Sequence, residues 1–149
     1  MTTVDYLIKG VSLPDGTKSD LTIHEGLISS IETDFKGEAR VVINATDCVV
    51  LPGLVDLHTH LREPGREDAE TVLSGSRAGA KGGFTAVSAM ANTSPVADTA
   101  GVVEQVYRLG QEAGLLDVFP IGAVTQGLKG EALSEIGAMA DSVARVRVF

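Results

Sequence analysis

Between residues 56 and 62 the chain sets an acid, two imidazoles and a guanidinium at every second position: Asp56, His58, His60 and Arg62. In a β-strand successive side chains point to opposite faces, so residues two apart share one. Regular alternation places these four on one side and Leu57, Thr59 and Leu61 on the other. The imidazoles would then stand about 6.6 Å apart, at roughly 3.3 Å per residue. Both rings can tilt from there onto one metal ion, at zinc–nitrogen distances of about 2.0–2.1 Å. A lone histidine in a strand is ordinarily structural. Four ionisable side chains on one strand face are harder to dismiss, because burying them without partners or a ligand is costly. An ion held there would supply hydroxide near neutral pH and polarise a carbonyl, which is what amide hydrolysis requires.

The elements that must position this row fall into two zones. Over residues 1–52 the pattern is short strands with turn punctuation. Residues 4–9 read as extended, with Gly10 as a breaker, and Pro14-Asp15-Gly16 marks a turn. Residues 21–24 and 27–31 flank Glu25-Gly26 as a hairpin with a two-residue loop. Residues 41–43 and 48–51 complete a small β-rich domain, a half-sandwich. His24 lies in this zone and is read as structural. Over residues 53–149 the pattern becomes strand–helix alternation. Strands are predicted at 54–60, 84–90 and 117–124, helices at 68–81, 99–114 and 131–141, and a fourth strand begins within 143–149. Such alternation implies α/β architecture with parallel βα units. The polar residues lie where the first two of these strands end, at His58–Arg62 and at Ala91-Asn92-Thr93.

At this point the chain resembles a known family. Gly53-Leu54-Val55-Asp56-Leu57-His58-Thr59-His60-Leu61-Arg62-Glu63-Pro64-Gly65 is similar to the first barrel strand of the cyclic amidohydrolases. Arg66-Glu67-Asp68-Ala69-Glu70-Thr71, Gly82-Gly83-Phe84-Thr85-Ala86-Val87 and Met90-Ala91-Asn92-Thr93 follow in the same order and spacing. Within that superfamily the arginine after His60-Leu61 and the Met-x-Asn-Thr piece resemble the dihydroorotases of the monofunctional bacterial type. The resemblance runs through nearly all of the chain after Val49. It implies a (β/α)8 barrel, of which this chain would hold the first three βα units and the start of the fourth strand. It implies zinc as cofactor, as one or two divalent ions, with His58 and His60 as ligands. It implies substrate binding by His60, Arg62 and Asn92, with Arg62 forking onto a carboxylate. The reaction would be the interconversion of N-carbamoyl-L-aspartate with L-dihydroorotate and water, in pyrimidine biosynthesis. A bridging carboxylate, further histidines and the general acid/base aspartate are expected after Phe149, so no catalytic residue is assigned here and the chain is expected to be inactive by itself.

The residues leave some roles open. Arg62 could instead pair with Glu63 or Glu67. Asn92 could be a turn residue before Ser94-Pro95. Asp56 could fix a histidine tautomer or bond backbone. Sister enzymes, an allantoinase or a dihydropyrimidinase, share the histidine pair, although their neutral rings have less need of Arg62. A dihydroorotase-like scaffold without turnover, bound to aspartate transcarbamoylase, is a reading from a different class. A βα-rich binding fragment is another, and it leaves the one-faced polar row unexplained. A homo-oligomer or a transcarbamoylase complex is compatible with the resemblance.

Composition narrows the setting. Twelve Lys and Arg stand against twenty Asp and Glu, a net charge of −8. With no basic cluster, a nucleic-acid or anionic-membrane partner is disfavoured. Apolar residues make up 44%, enough for a core. No apolar run approaches the roughly 20 residues of a membrane span, and the first residues lack the features of a signal peptide. The single cysteine, Cys48, cannot form an internal disulfide. A cytoplasmic location is the expectation.

Overall fold

The computed structural model of the chain describes residues 3–149. They form two compact units, Met1–Pro52 and Gly53–Phe149.

The first unit is a four-stranded sheet in the order β3-β2-β1-β4. Its strands are β1 (Thr3–Ser12), β2 (Lys18–His24), β3 (Leu27–Glu32) and β4 (Glu38–Asn44). β2 runs antiparallel to β1 and β3, whereas β4 pairs with β1 in parallel. The β2–β3 loop is two residues, Glu25 and Gly26, both at positive φ (51° and 77°). Only the mirror-image turn has that geometry, and its twist matches the strands it joins. Gly10 does not break β1. It sits at φ 72° within a register shift between Ile8 and Val11. The buried carboxylate of Asp20 accepts its N–H at 2.8 Å and that of Phe35 at 3.1 Å. Residues 48–51 form no strand; Val49 makes one isolated bridge to Ser12.

The second unit alternates strand and helix: β5 (Leu54–Thr59), α1 (Val72–Lys81), β6 (Phe84–Ala89), α2 (Ala100–Ala113), β7 (Asp117–Pro120) and α3 (Ile136–Asp141). The strands pair in parallel in the order β5-β6-β7. Leu61, Val72, Val87, Ala89, Val106, Leu116 and Val118 form one buried cluster between this sheet and helices α1 and α2. A second cluster joins Ala91 and Val103 to Met139, Ala144 and Val146. The other face of the sheet is open: Val55 is 56% exposed and Phe119 51%.

Helix boundaries follow their caps. Thr71 caps α1 in a reciprocal capping box with Ser74, so the helix starts at Val72 rather than at 68. Asp68 is drawn instead into an ion pair with Arg66 at 3.0 Å. Gly114, at φ 61°, ends α2 in the left-handed conformation. Residues 143–149 are not a strand. One backbone bond, from the Gly122 N–H to the Val148 carbonyl, ties the segment to the chain after β7. The short β7 leaves a cleft of about 320 Å³ between itself and this segment. Among the described residues no helix is long and apolar enough to cross a membrane.

α2 reaches β7 through Gly110, where an added Cβ would lie 2.5 Å from Val118 Cβ. Gly110→Ala is therefore expected to destabilise the chain by about 1–3 kcal/mol in urea unfolding, despite alanine's better helix propensity. Gly101→Ala in the same helix meets nothing within 4 Å. It is expected to be neutral or stabilising by up to about 1 kcal/mol.

Candidate metal and substrate site

The geometry of the site begins with an irregularity in β5. Asp56 pairs with Val87 and Thr59 with Ala89, so three steps on β5 match two on β6. Leu57 and His58 together stand opposite Ser88, which is a β-bulge. Val87 and Ala89 belong to the cluster under the helices, and their partners Asp56 and Thr59 line a pocket facing α1 with Leu61. The expectation from regular alternation is corrected here: Asp56 lies on the helix side, opposite to the imidazoles. Its carboxylate accepts the backbone N–H of His58 at 2.9 Å, an Asx-type bond to residue i+2. That bond holds the Asp56 carboxyl below the usual carboxylate range. Of the two roles open to Asp56, the structure has the backbone one.

Beyond the bulge Leu61 is 4% exposed in the core, which leaves His58 and His60 on the open face. Their rings meet edge to face, with centroids 5.1 Å apart and planes at 65°. His60 Nδ1 donates to Asn92 Oδ1 at 2.8 Å. An amide oxygen can only accept, so this bond places a proton on Nδ1, and in the neutral ring the lone pair is then on Nε2. Asn92 reaches His60 because the β5–β6 ladder continues past both strands: the Met90 N–H donates to the Thr59 carbonyl at 2.9 Å. The Ala97 N–H closes the following loop onto the Ala91 carbonyl at 3.0 Å.

After His60 the chain turns sharply. The Glu63 N–H donates to the Leu61 carbonyl at 2.8 Å, around Arg62 at φ 64°. This is the rare, strained form of the γ-turn. Arg62 is thus placed by a turn rather than by strand alternation. Its side chain makes no hydrogen bond or ion pair among the described residues. The partners considered for it are engaged elsewhere. Glu63 Oε2 accepts the Val72 N–H at 2.7 Å, capping α1, and Glu67 Oε1 accepts the Gly65 N–H at 2.8 Å. The loops after β5 and β6 lock together, the Ser94 N–H donating to the Pro64 carbonyl at 2.9 Å. Gly65, at φ 106°, lies so close to Ser94 that a Cβ would collide with its carbonyl oxygen. Both loops carry a cis proline bond, Glu63–Pro64 and Ser94–Pro95.

The donor set suits a borderline cation in part. Two imidazoles, one oriented by Asn92, are sound zinc ligands in their neutral form. Among the described residues no group of three or more His, Cys, Asp or Glu side chains could hold a metal ion. His24 and Cys48 both belong to the first unit. His24 Nδ1 lies 3.4 Å from Asp5, and Cys48 is exposed. The Glu63 cap is a role the sequence does not announce, whereas a backbone bond is one of the two roles it leaves open for Asp56. The Asp-x-His spacing did carry a signal for the second, since Asp favours accepting the N–H two residues on.

The family model and the curated relatives agree on one family. The family model described as dihydro-orotase-like matches residues 47–146. A dihydroorotase of Leifsonia xyli subsp. xyli is 60% identical over 144 residues, 97% of this chain and 33% of the relative. A dihydroorotase of Streptomyces coelicolor is 59% identical over 143 residues, 96% of the chain and 33% of the relative. The chain thus spans about a third of the length of these curated relatives. Among solved structures, the L-hydantoinase (dihydropyrimidinase) of Arthrobacter aurescens superposes with a TM-score of 0.71 at 26% identity, covering 84% of this chain and 29% of that one. With the family model matched over two thirds of its residues, the chain belongs to the dihydro-orotase-like family.

Proposed function

We propose that the chain forms the N-terminal part of a metal-dependent hydrolase of small cyclic amides. The reaction is the reversible interconversion of N-carbamoyl-L-aspartate with L-dihydroorotate and water. One observation carries the reading: His58, His60 and Asn92 meet on the open face of the sheet, in a chain of this family. On the same reading residues 1–52 are a small β-rich domain and 53–149 the first part of a (β/α)8 barrel. The parallel order β5-β6-β7 supports this, as does a site at C-terminal strand ends, where such barrels carry theirs.

His58 and His60 hold the cation, His60 through the Nε2 that its bond to Asn92 leaves unprotonated. When bound, a zinc-type ion supplies hydroxide near neutral pH and polarises the ring carbonyl. Arg62, without a side-chain partner among the described residues, offers two parallel donors to the substrate carboxylate. Asn92 spends its oxygen on His60 and keeps its NH2 group for the same end of the substrate. No side chain of this chain is assigned the proton transfer; that group and the remaining ligands lie outside residues 1–149. A second reading, hydrolysis of a neutral ring by a sister enzyme, is favoured by the backbone likeness to the L-hydantoinase. Arg62 separates the two, since a neutral ring presents no carboxylate to a guanidinium.

The full-length protein that contains this chain is expected to turn over N-carbamoyl-L-aspartate in preference to allantoin and dihydrouracil. Turnover of only the latter two rejects the proposal. His58→Ala is expected to remove metal and activity together, read as metal stoichiometry of the purified protein beside the assay. Unchanged stoichiometry takes His58 out of the site. Arg62→Lys loses a charge-assisted hydrogen bond worth about 1.5–3 kcal/mol, and so raises KM by roughly 10–100-fold. Metal content is expected to stay unchanged; its collapse would mean that Arg62 supports the fold.

A further inference from the structure

We infer that Asp56 is the positioning residue for the imidazole pair: by accepting the His58 N–H it holds the extra residue of β5 that turns His58 and His60 onto one open face. The inference rests on the reading above that these two rings share a cation, and it adds the device that aims them.

Parity carries the argument. Asp56 pairs with Val87, which is buried with Val72 and Val118 under the helices. Were β5 regular beyond that point, residues 58 and 60 would follow Asp56 onto the same side. Both imidazoles would enter the apolar cluster, and Leu61 would emerge on the open face. A one-residue slip inverts every later side chain of a strand. The bulge at Leu57–His58 makes that inversion. It returns Thr59 and Leu61 to the helix side and delivers the histidines to the other.

A bulge leaves a backbone group outside the ladder, and such a group needs a partner. The N–H of His58 finds it in Asp56 Oδ1, at 2.9 Å. The donor belongs to an imidazole-bearing residue itself, so the bond fixes the backbone from which the ring projects. No other side chain of the described residues bonds this N–H. An asparagine could replace Asp56 here, because its amide oxygen can accept the same proton. An alanine could not.

The test uses the full-length protein that contains this chain, freed of metal, and zinc alone. Zinc affinity is measured by competition titration for the wild type, Asp56→Asn, Asp56→Ala, His58→Ala and His60→Ala, with circular dichroism as the check on folding. Asp56→Ala is expected to weaken zinc binding by about 10–100-fold, the usual effect of losing a group that orients a ligand. Asp56→Asn is expected to stay within about threefold of the wild type. Wild-type affinity in Asp56→Ala overturns the inference, and so does an asparagine variant as weak as the alanine one. Should the alanine variant fail to fold, hydrogen exchange in the wild type decides. A His58 amide slowed at least tenfold against its free rate supports the bond, and exchange at the free rate overturns it. The histidine variants separate the two levels. If neither changes zinc affinity, the shared-cation reading fails, and the role of Asp56 in shaping β5 is judged by the exchange rate alone.

Discussion

The parallel pairing of β5 with β6, broken by the bulge between Asp56 and Thr59, is the constraint from which the site follows. His60 and Asn92 are 32 residues apart in sequence. They meet because the ladder runs on past the strands, through the Thr59 carbonyl and the Met90 N–H. The bulge inside that pairing decides which way each side chain looks. Both effects are matters of backbone hydrogen bonding, and the chemistry of the side chains is laid over them.

Packing enforces the same choice from the other side. Leu61 is buried beneath α1, and full burial of a leucine is worth about 1.5–3 kcal/mol. α1 can come that close because Gly75 faces Leu61, where an added Cβ would stand 2.6 Å from Leu61 Cδ2. Gly79 repeats the device one turn on, against Leu116. With Leu61 and Thr59 committed to the helix side, His58 and His60 are committed to the open one. The core and the site are coupled by alternation along one short segment, so a substitution that loosens Leu61 also loosens the aim of the rings.

Much of this was legible in the residues. The hairpin at Glu25-Gly26, the stop of α2 at Gly114 and the strand–helix order of the second unit follow from turn chemistry and periodicity. The nearness of the two histidines follows from their spacing. Three features were not legible. The face of Asp56 is hidden from the sequence because a bulge changes parity without changing composition. Residues 143–149 read as a strand from their alternating valines, yet strand structure needs a paired neighbour, and the four-residue β7 gives the segment one backbone bond close by. Helix α1 started late because Thr71 and Glu63 together satisfy its first N–H groups, and Glu63 arrives from nine residues away. Each miss lies where a tertiary or side-chain hydrogen bond overrules a local pattern.

A structural histidine is ordinarily enclosed, with its ring nitrogens partnered. His58 is exposed, and its ring makes no hydrogen bond among the described residues. His60 uses one nitrogen and keeps the other free. Around them the backbone departs from regularity twice within six residues, at the bulge of Leu57–His58 and at the γ-turn of Arg62. Among the described residues Arg62 is one of four non-glycine residues at positive φ, and of these four only it sits at the centre of a three-residue hydrogen-bonded turn. Such conformations cost about 1–3 kcal/mol each and persist where the surroundings compel them. A strand end with no task beyond packing could have stayed regular and filled its positions with apolar residues. This one carries two irregular turns of backbone, and their joint effect is to present two imidazoles and a guanidinium at the end of a sheet whose other face is already packed.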